Sequence, residues 1–303
     1  MLITAPQTTP YGSLTPEQKS FYEKDGYLVL DQLLSERELA PARAAMMQKV
    51  DQIADDLFAD GLIKNKLEHV GFQFRLAKLF ENLSDKEFLK YGRSWRDRIP
   101  GYFVLMSNPK ILDAVESLIG QELFANPVYN VRPKVPKVAA GAVPWHQDKS
   151  YWPEANSNPV ITVWIPLVDS THENGCLHLI PGTHRKRVVA YGSETHTGTG
   201  YLTTADAIVE QESKKRPIVA LPVKAGSAIL FNDRLLHSST PNNSDHVRWS
   251  VDLRYQPTDQ DQMTQYGAGF LARSKEHPDR VATLEDWMES RLEHGGEPIT
   301  RKA

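Results

Sequence analysis

The sequence predicts a mainly β protein with helical additions, a sandwich or barrel, on three observations. From about residue 122 the chain breaks into short apolar runs between clusters of Gly, Pro, Asn and Asp, the texture of a sandwich or barrel. Ahead of it, residues 14–121 carry helix-start signals and helical periodicity. Residues 247–255 alternate cleanly: Arg248, Ser250, Asp252 and Arg254 share one face, and Trp249, Val251, Leu253 and Tyr255 the other. A strand with one charged face is either the wall of a polar cavity or an edge strand with a solvated side.

In chain order, the first thirteen residues, rich in Thr and Pro, read as a flexible arm. Thr15-Pro16-Glu17-Gln18 starts a helix, with Thr15 as cap, Pro16 in the first turn and Gln18 completing a capping box. Asp25-Gly26 ends it, and residues 27–30 (YLVL) read as a strand. Ser35 and Glu38 repeat the capping box, after which Leu39, Met46, Val50, Ile53 and Leu57 share one helical face. A further helix is expected over 109–119, capped by Ser107 or Asn108 and ended by Gly120, with a stripe of Ile111, Leu112, Val115, Leu118 and Ile119. Strands are expected at 123–131, 160–168, 176–180, 218–221, 228–231 and 247–255. The polar stretch 185–216 reads as a long loop, commonly a lid or disordered. The tail from Gly295 reads as loose.

Composition excludes several classes. With 303 residues, 40 % hydrophobic and 24 % charged, the chain is not generally disordered. A net charge of −3 gives no electrostatic footprint for nucleic acid or an anionic membrane. Cys176 is the only cysteine, so neither an intrachain disulfide nor a site of several thiolates can form. No apolar stretch reaches the roughly 18 residues of a membrane span. The first thirteen residues lack the charged and apolar regions of a secretory signal, so a cytoplasmic protein is expected.

Three elements point to chemistry. The first is His146-Gln147-Asp148, an imidazole and a carboxylate two residues apart, on the same side of an extended segment. With ten histidines in the chain, chance alone gives about 0.6 such pairs. The second is His237, which follows an apolar run preceded by Gly226-Ser227. It is either a capped strand end or a third ligand; two histidines and one carboxylate make the facial triad of non-haem Fe(II) oxygenases. The third is Arg248, eleven residues later, a spacing that permits a turn and a return along the neighbouring strand. An inward-facing arginine needs an anion: a dicarboxylate held bidentately, or a structural partner such as Asp252 or Asp233.

The order His146-x-Asp148, His237, Arg248 resembles the phytanoyl-CoA dioxygenase family of Fe(II)/2-oxoglutarate-dependent oxygenases. Residues 173–184 (ENGCLHLIPGTH) are similar to the family's turn-and-strand segment between the ligand strands, and Gly226 with Phe231 and His237 resembles the strand leading to the distal histidine. Residues 22–30 (YEKDGYLVL) resemble its opening helix and strand, so the likeness spans roughly residues 15–258. One departure is Ser227, where the family commonly has Asp.

The resemblance implies a double-stranded β-helix, a jelly-roll and cupin-like core, with N-terminal helices packed on the major sheet. It implies one catalytic domain over 1–303: arm 1–13, mostly helical part 14–121, core 122–258 and C-terminal extension 259–303. It implies that His146, Asp148 and His237 bind iron and form the catalytic centre. Arg248 would pair with the distal carboxylate of 2-oxoglutarate, aided by Ser239. Trp164, sixteen residues after Asp148, would line the cosubstrate pocket. Asn130 would sit near the other end of the cosubstrate, and Lys78 matches a lysine that contacts it. The implied reaction uses Fe(II), 2-oxoglutarate and O2 to hydroxylate an aliphatic carbon of a small organic molecule (natural product, acid or acyl thioester), giving succinate and carbon dioxide. Related halogenases carry a small residue where this chain has Asp148, so hydroxylation is expected.

Two other classes compete: a non-enzymatic metal-binding β-sandwich that senses a ligand, and a metal-dependent hydrolase on the same fold. The complete triad together with Arg248 discriminates against the binding module. A nucleic-acid partner fits poorly without a basic stripe or an aromatic stacking platform. His178 and His184 read as structural, Tyr151 and Trp152 as pocket or core. Arg132, Lys134 and Lys137 read as a contact for an acidic substrate or CoA phosphate, or as a solvated charged turn.

Overall fold

A computed structural model of the chain describes residues 12–92, 95, 97–138, 141–151, 160–193, 201–260 and 269–289. Residues 1–11 of the arm, the tail from Gly295, Trp152, His196 and His294 lie outside the described residues.

The Thr15 hydroxyl accepts from the Gln18 amide, and the Gln18 side chain accepts from the Thr15 amide, so α1 (Pro16–Asp25) starts where the capping box predicts. Gly26 ends it at φ +82 and feeds β1 (Tyr27–Leu30). α2 (Glu36–Ala59) buries Leu39, Met46, Val50, Ile53 and Leu57, the predicted stripe. Three short helices that periodicity did not reveal follow: α3 (Arg75–Phe80), α4 (Asp85–Tyr91) and α5 (Pro100–Met106). Elements of six or seven residues hold too few turns to show a 3.6-residue period. α6 (Pro109–Ile119) is capped by Asn108, whose side chain accepts from the Lys110 amide.

The expected strand 123–131 divides into β2 (Leu123–Ala125) and β3 (Asn130–Lys134). Asn126 causes the break: its Oδ1 accepts from the Val128 amide at 2.8 Å in a side-chain-closed turn, and its Nδ2 donates to Gln256 Oε1 at 2.8 Å. β4 (Val143–His146), β5 (Ile161–Pro166) and β6 (Leu177–Leu179) follow. The stretch 185–216 contains a hairpin of β7 (Tyr191–Ser193) and β8 (Leu202–Thr204), then α7 (Asp206–Lys215). Where it is described, it is therefore not a structureless loop. α7 shows little periodicity because it is held by one buried apolar side chain, Val209, and by Glu212, which pairs with Lys186 and Lys215. The chain continues through β9 (Val219–Leu221), β10 (Ala228–Asn232), β11 (His237–Ser239), β12 (Arg248–Pro257), β13 (Phe270–Arg273) and α8 (Leu284–Glu289).

Apart from the β7–β8 hairpin, the strands form two antiparallel sheets that enclose a core between them. The larger has the order β1-β10-β5-β12-β2-β13, with β3 pairing the first half of β12. The smaller has the order β4-β11-β6-β9. Trp164, Ile229 and Phe231 of the larger sheet pack with Leu177, Leu179 and Leu221 of the smaller. On its other side the larger sheet meets the helices: Val163, Ile165, Trp249, Val251 and Leu253 share one apolar cluster with α2, α5 and α6. Trp249 stacks on Phe72 at 5.1 Å and meets Trp95 edge-on at 5.2 Å, pairs worth about 0.5–1.5 kcal/mol each beyond their burial. This is the mainly β core with N-terminal helices on the major sheet that the sequence led us to expect. β12 is buried on both faces for nearly its whole length, so its charged face is an interior wall and not a solvated edge. Among the described residues no helix is long and apolar enough to cross a membrane.

Candidate active site

His146 ends β4 and His237 begins β11, and the two are direct cross-strand partners with ring centroids 4.1 Å apart. Asp148 does not lie on an extended segment as expected. It opens a 3-10 turn, Asp148–Tyr151, which turns its carboxylate back toward the imidazoles. Asp148 Oδ1 is 3.5 Å from His146 Nε2 and 3.9 Å from His237 Nε2. The three side chains are almost fully buried, and their donor atoms all lie within 4.8 Å of one another.

Each imidazole is aimed by its own backbone. Nδ1 of His146 is 2.9 Å from the Pro144 carbonyl, and Nδ1 of His237 is 2.9 Å from the Leu235 carbonyl. A carbonyl only accepts, so each Nδ1 carries the proton and each Nε2 presents a lone pair. Burial, and then the charge of His146, pull His237 down to about 3, which keeps it neutral and able to ligate. Burial pushes the Asp148 carboxyl up, but the Arg254 guanidinium, helped by His146 and His237, overrides it and holds the group well below the usual carboxylate range. Asp148 Oδ2 is occupied by Thr162 Oγ1 at 2.7 Å and by Arg254 Nε and Nη2 at 3.2 and 2.9 Å. Only Oδ1 faces the imidazoles. The donor set is therefore two imidazoles and one monodentate carboxylate, which fits a non-haem Fe(II) centre with open positions.

The cleft beside this set is lined by both sheets, with Leu177, Phe231 and Val143 as its apolar walls. Arg248 reaches it from β12, with its guanidinium 5.2 Å above the Trp164 ring. The expected return along a neighbouring strand is not what the structure shows: β11 and β12 belong to different sheets, and the chain crosses the core between them. Arg248 is 1 % exposed, donates through Nη1 to Ser250 Oγ at 3.0 Å, and leaves Nε without a partner. The two carboxylates that could pair with it pair elsewhere: Asp252 through Oδ2 with Arg132 at 2.6 Å, its Oδ1 having no hydrogen bond among the described residues, and Asp233 with Lys149 at 3.8 Å. Burial pulls Arg248 down to about 10, with Asp252 opposing and Arg132 reinforcing the shift. Lys134 is also buried, and its Nζ donates to Ser239 Oγ at 2.7 Å and to the Thr240 and Gly175 carbonyls. Burial, then the charges of Arg248 and Arg132, drive it well below the ordinary lysine value. Among the described residues neither Arg248 nor Lys134 makes an ion pair with a carboxylate, an arrangement that an anionic ligand relieves.

The structure thus brings His146, Asp148, His237, Arg248, Ser239 and Trp164 to one cleft. It does not bring the other two expected residues there. Asn130 starts β3 opposite Asp252 but is not among the residues lining the cleft, and Lys78 is exposed on α3. Lys134 is buried and Arg132 half-buried on β3, neither in a solvated turn, whereas Lys137 is exposed. Tyr151 meets His146 edge-on at 6.0 Å, and its hydroxyl accepts from the Leu202 amide at 3.0 Å. His184 sits against Gly26, with Nε2 3.2 Å from the Glu23 carbonyl, a structural role. Ser227 Oγ accepts from the Gln32 amide at 3.2 Å, also structural. Sequence reasoning missed Arg254, Thr162 and Lys134 as supports of the site. For Arg254 a signal existed: it shares the alternating face of β12 with Arg248.

Comparison with known proteins agrees with this geometry. The family described as Phytanoyl-CoA dioxygenase (PhyH) matches residues 22–250. The Phytanoyl-CoA dioxygenase domain-containing protein 1 homolog of Dictyostelium discoideum is 26 % identical over 264 residues, covering 80 % of this chain and 91 % of its own length. Among solved structures, the non-heme alpha-ketoglutarate-dependent carbocyclase SnoK from nogalamycin biosynthesis has the same fold. It has a TM-score of 0.56 at 24 % identity, over 84 % of this chain and 88 % of its own. EctD from S. alaskensis, solved with 2-oxoglutarate and 5-hydroxyectoine, gives a TM-score of 0.54 at 21 % identity, over 84 % and 80 %. With a match that runs from α1 into β12 and takes in the whole triad, the chain belongs to the phytanoyl-CoA dioxygenase family.

Proposed function

We propose that the protein is an Fe(II)/2-oxoglutarate-dependent dioxygenase that hydroxylates an aliphatic carbon of a small organic molecule. The observation that carries this reading is one buried cleft holding both the His146–Asp148–His237 set and the unpaired Arg248. Iron would be held by Nε2 of both histidines and Oδ1 of Asp148. With 2-oxoglutarate and O2 bound, the iron centre supplies the oxidising power that turns substrate C–H into C–OH while 2-oxoglutarate becomes succinate and carbon dioxide.

The chain's own groups position and shield. Arg248 offers Nε and its remaining guanidinium N–H to the distal carboxylate of the cosubstrate, above the flat face of Trp164. Lys134 fixes Ser239, whose hydroxyl proton is then free to donate to the same anion. Leu177, Phe231 and Val143, the apolar walls of the cleft, would limit water at the reacting centre. Asp148, with Oδ2 fully engaged, fills the position a halide would need. A cytoplasmic location is part of the proposal; the buried, free Cys176 is compatible with a reducing compartment, and cell fractionation tests it.

The deciding experiment is an anaerobic titration of metal-free protein with Fe(II), then 2-oxoglutarate. We expect a broad visible metal-to-ligand charge-transfer band that saturates at one equivalent and is absent in His237→Ala. Metal uptake by folded protein without that band would overturn the reading in favour of a binding or hydrolytic site.

A further inference from the structure

The segment between the ligand strands contains a second group of donor atoms that the oxygenase centre does not use. His172 and Cys176 lie in and after the turn before β6, and His178 lies within β6. One ligand atom from each falls within 4.8 Å of the others. Cys176 Sγ is 3.9 Å from His172 Nδ1. Leu177 and Leu179 point into the core, Leu177 as a wall of the cleft. His178 therefore faces the opposite side of the strand, and Cys176, just before the strand, is fully buried with its sulfur near that imidazole.

We propose that His172, Cys176 and His178 form a second metal site, separate from the iron centre, for a borderline-soft divalent cation, foremost Zn(II). The donor chemistry sets the class. A thiolate and two imidazoles with no carboxylate suit zinc and disfavour magnesium or calcium. The His146–Asp148–His237 set carries no sulfur, so the two sites sort cations differently. Tetrahedral zinc with bonds of about 2.1 Å to nitrogen and 2.3 Å to sulfur places its ligands about 3.5 Å apart. The donors approach that spacing already, and His172 is exposed and free to turn inward.

The scaffold is built and rigid. The Asn174 side chain accepts from the Thr171 amide at 2.7 Å and donates to the Asp169 carbonyl at 2.8 Å, and the Cys176 amide donates to the Thr171 carbonyl at 2.9 Å. Gly175, at φ +85, brings the turn so close to β11's exit that a Cβ would lie 2.3 Å from the Thr240 carbonyl. His178 is half-buried, and no hydrogen bond to either ring nitrogen occurs among the described residues. Binding would convert the Cys176 thiol to a thiolate, with its proton released to solvent and both imidazoles neutral.

The chain's single cysteine makes the test clean. Metal-free full-length protein is titrated with Co(II) under anaerobic conditions. A thiolate-to-cobalt charge-transfer band reports this site alone, because the iron centre has no sulfur. We expect the band to appear in the wild type and in His237→Ala, to vanish in Cys176→Ser, and to bleach on addition of Zn(II). His172→Ala, a change at an exposed position, should weaken Co(II) binding by the band at least tenfold, as should His178→Ala. Absence of the band in folded protein that takes up cobalt at the His146–Asp148–His237 set would overturn the proposal. So would a band of unchanged affinity in both histidine variants, which would mean a lone thiolate.

Discussion

The two sheets do different work at one cleft. The smaller contributes the two imidazoles proposed as ligands, from β4 and β11, each clamped by the carbonyl two residues before it. The larger contributes Arg248, Asp252, Arg254, Thr162 and Trp164, and is backed by the N-terminal helices, whereas the smaller meets α7 through Val209. Asp148 stands between them: it leaves β4 by a turn, yet its carboxylate is fixed by Thr162 and Arg254 of the larger sheet. On the proposed reading, iron affinity depends on how the sheets meet, whereas cosubstrate affinity depends mainly on the larger sheet.

The strongest way to break this division is Arg248→Ala. Loss of one partner from a buried charge-assisted pair costs about 2–5 kcal/mol, so 2-oxoglutarate affinity should fall on the order of 10²-fold or more, with Fe(II) affinity nearly unchanged. Titration of each in turn measures the two; equal losses would mean that the cosubstrate role is misplaced. Arg254→Met sharpens the same contrast from the other side. It strips two hydrogen bonds from Asp148 Oδ2, and metal affinity should fall about 10- to 100-fold before cosubstrate affinity is touched. Calorimetry of Fe(II) binding to the metal-free variant would show it.

Two smaller effects test the helical backing. Gly226 lies at φ +81, and a Cβ there would meet the Leu34 carbonyl at 2.2 Å, so Gly226→Ala should cost about 1–3 kcal/mol in denaturant unfolding without changing metal stoichiometry. Glu38 links the start of α2 to α6 through Lys110 at 2.9 Å and Asn108 at 3.3 Å. Burial alone would raise its carboxyl, but the Ser35 hydroxyl and amide, with Lys110 and Asn108, hold it at about 2 against an ordinary 4.5. The unfolded chain binds more protons between those values, so this contribution is present above about pH 4.5 and lost as pH falls through about 2. Glu38→Gln should destabilise by about 1 kcal/mol near neutrality and by less at each step toward pH 2, as read from thermal melts.

Legibility in the sequence followed the range of the interaction. The capping boxes of α1 and α2, the stripe of α6 and the alternation of β12 depend on neighbours in the chain, and each was visible there. The triad was visible as spacing plus resemblance. What escaped depends on cross-sheet register. Nothing near Asp148 shows that Thr162 and Arg254 will meet it, since β5 pairs with β12 so that Arg254 lies opposite Thr162. Lys134 looked like part of a charged turn because its partners, Ser239 and the Thr240 carbonyl, lie about a hundred residues away. α7 escaped because Val209 is its one buried apolar side chain.

The carbonyl clamps on the two histidines have a consequence for descent. Every amino acid provides a carbonyl, so no replacement of the Pro144 or Leu235 side chain can delete the group that sets the tautomer. The corresponding supports of Asp148 are side chains, Thr162 and Arg254, each removable by one codon change. Mutation thus has little purchase on the imidazole pair and ready purchase on the carboxylate. In a lineage of such proteins, new chemistry would be expected to arise at the carboxylate corner while the two histidines stay as they are.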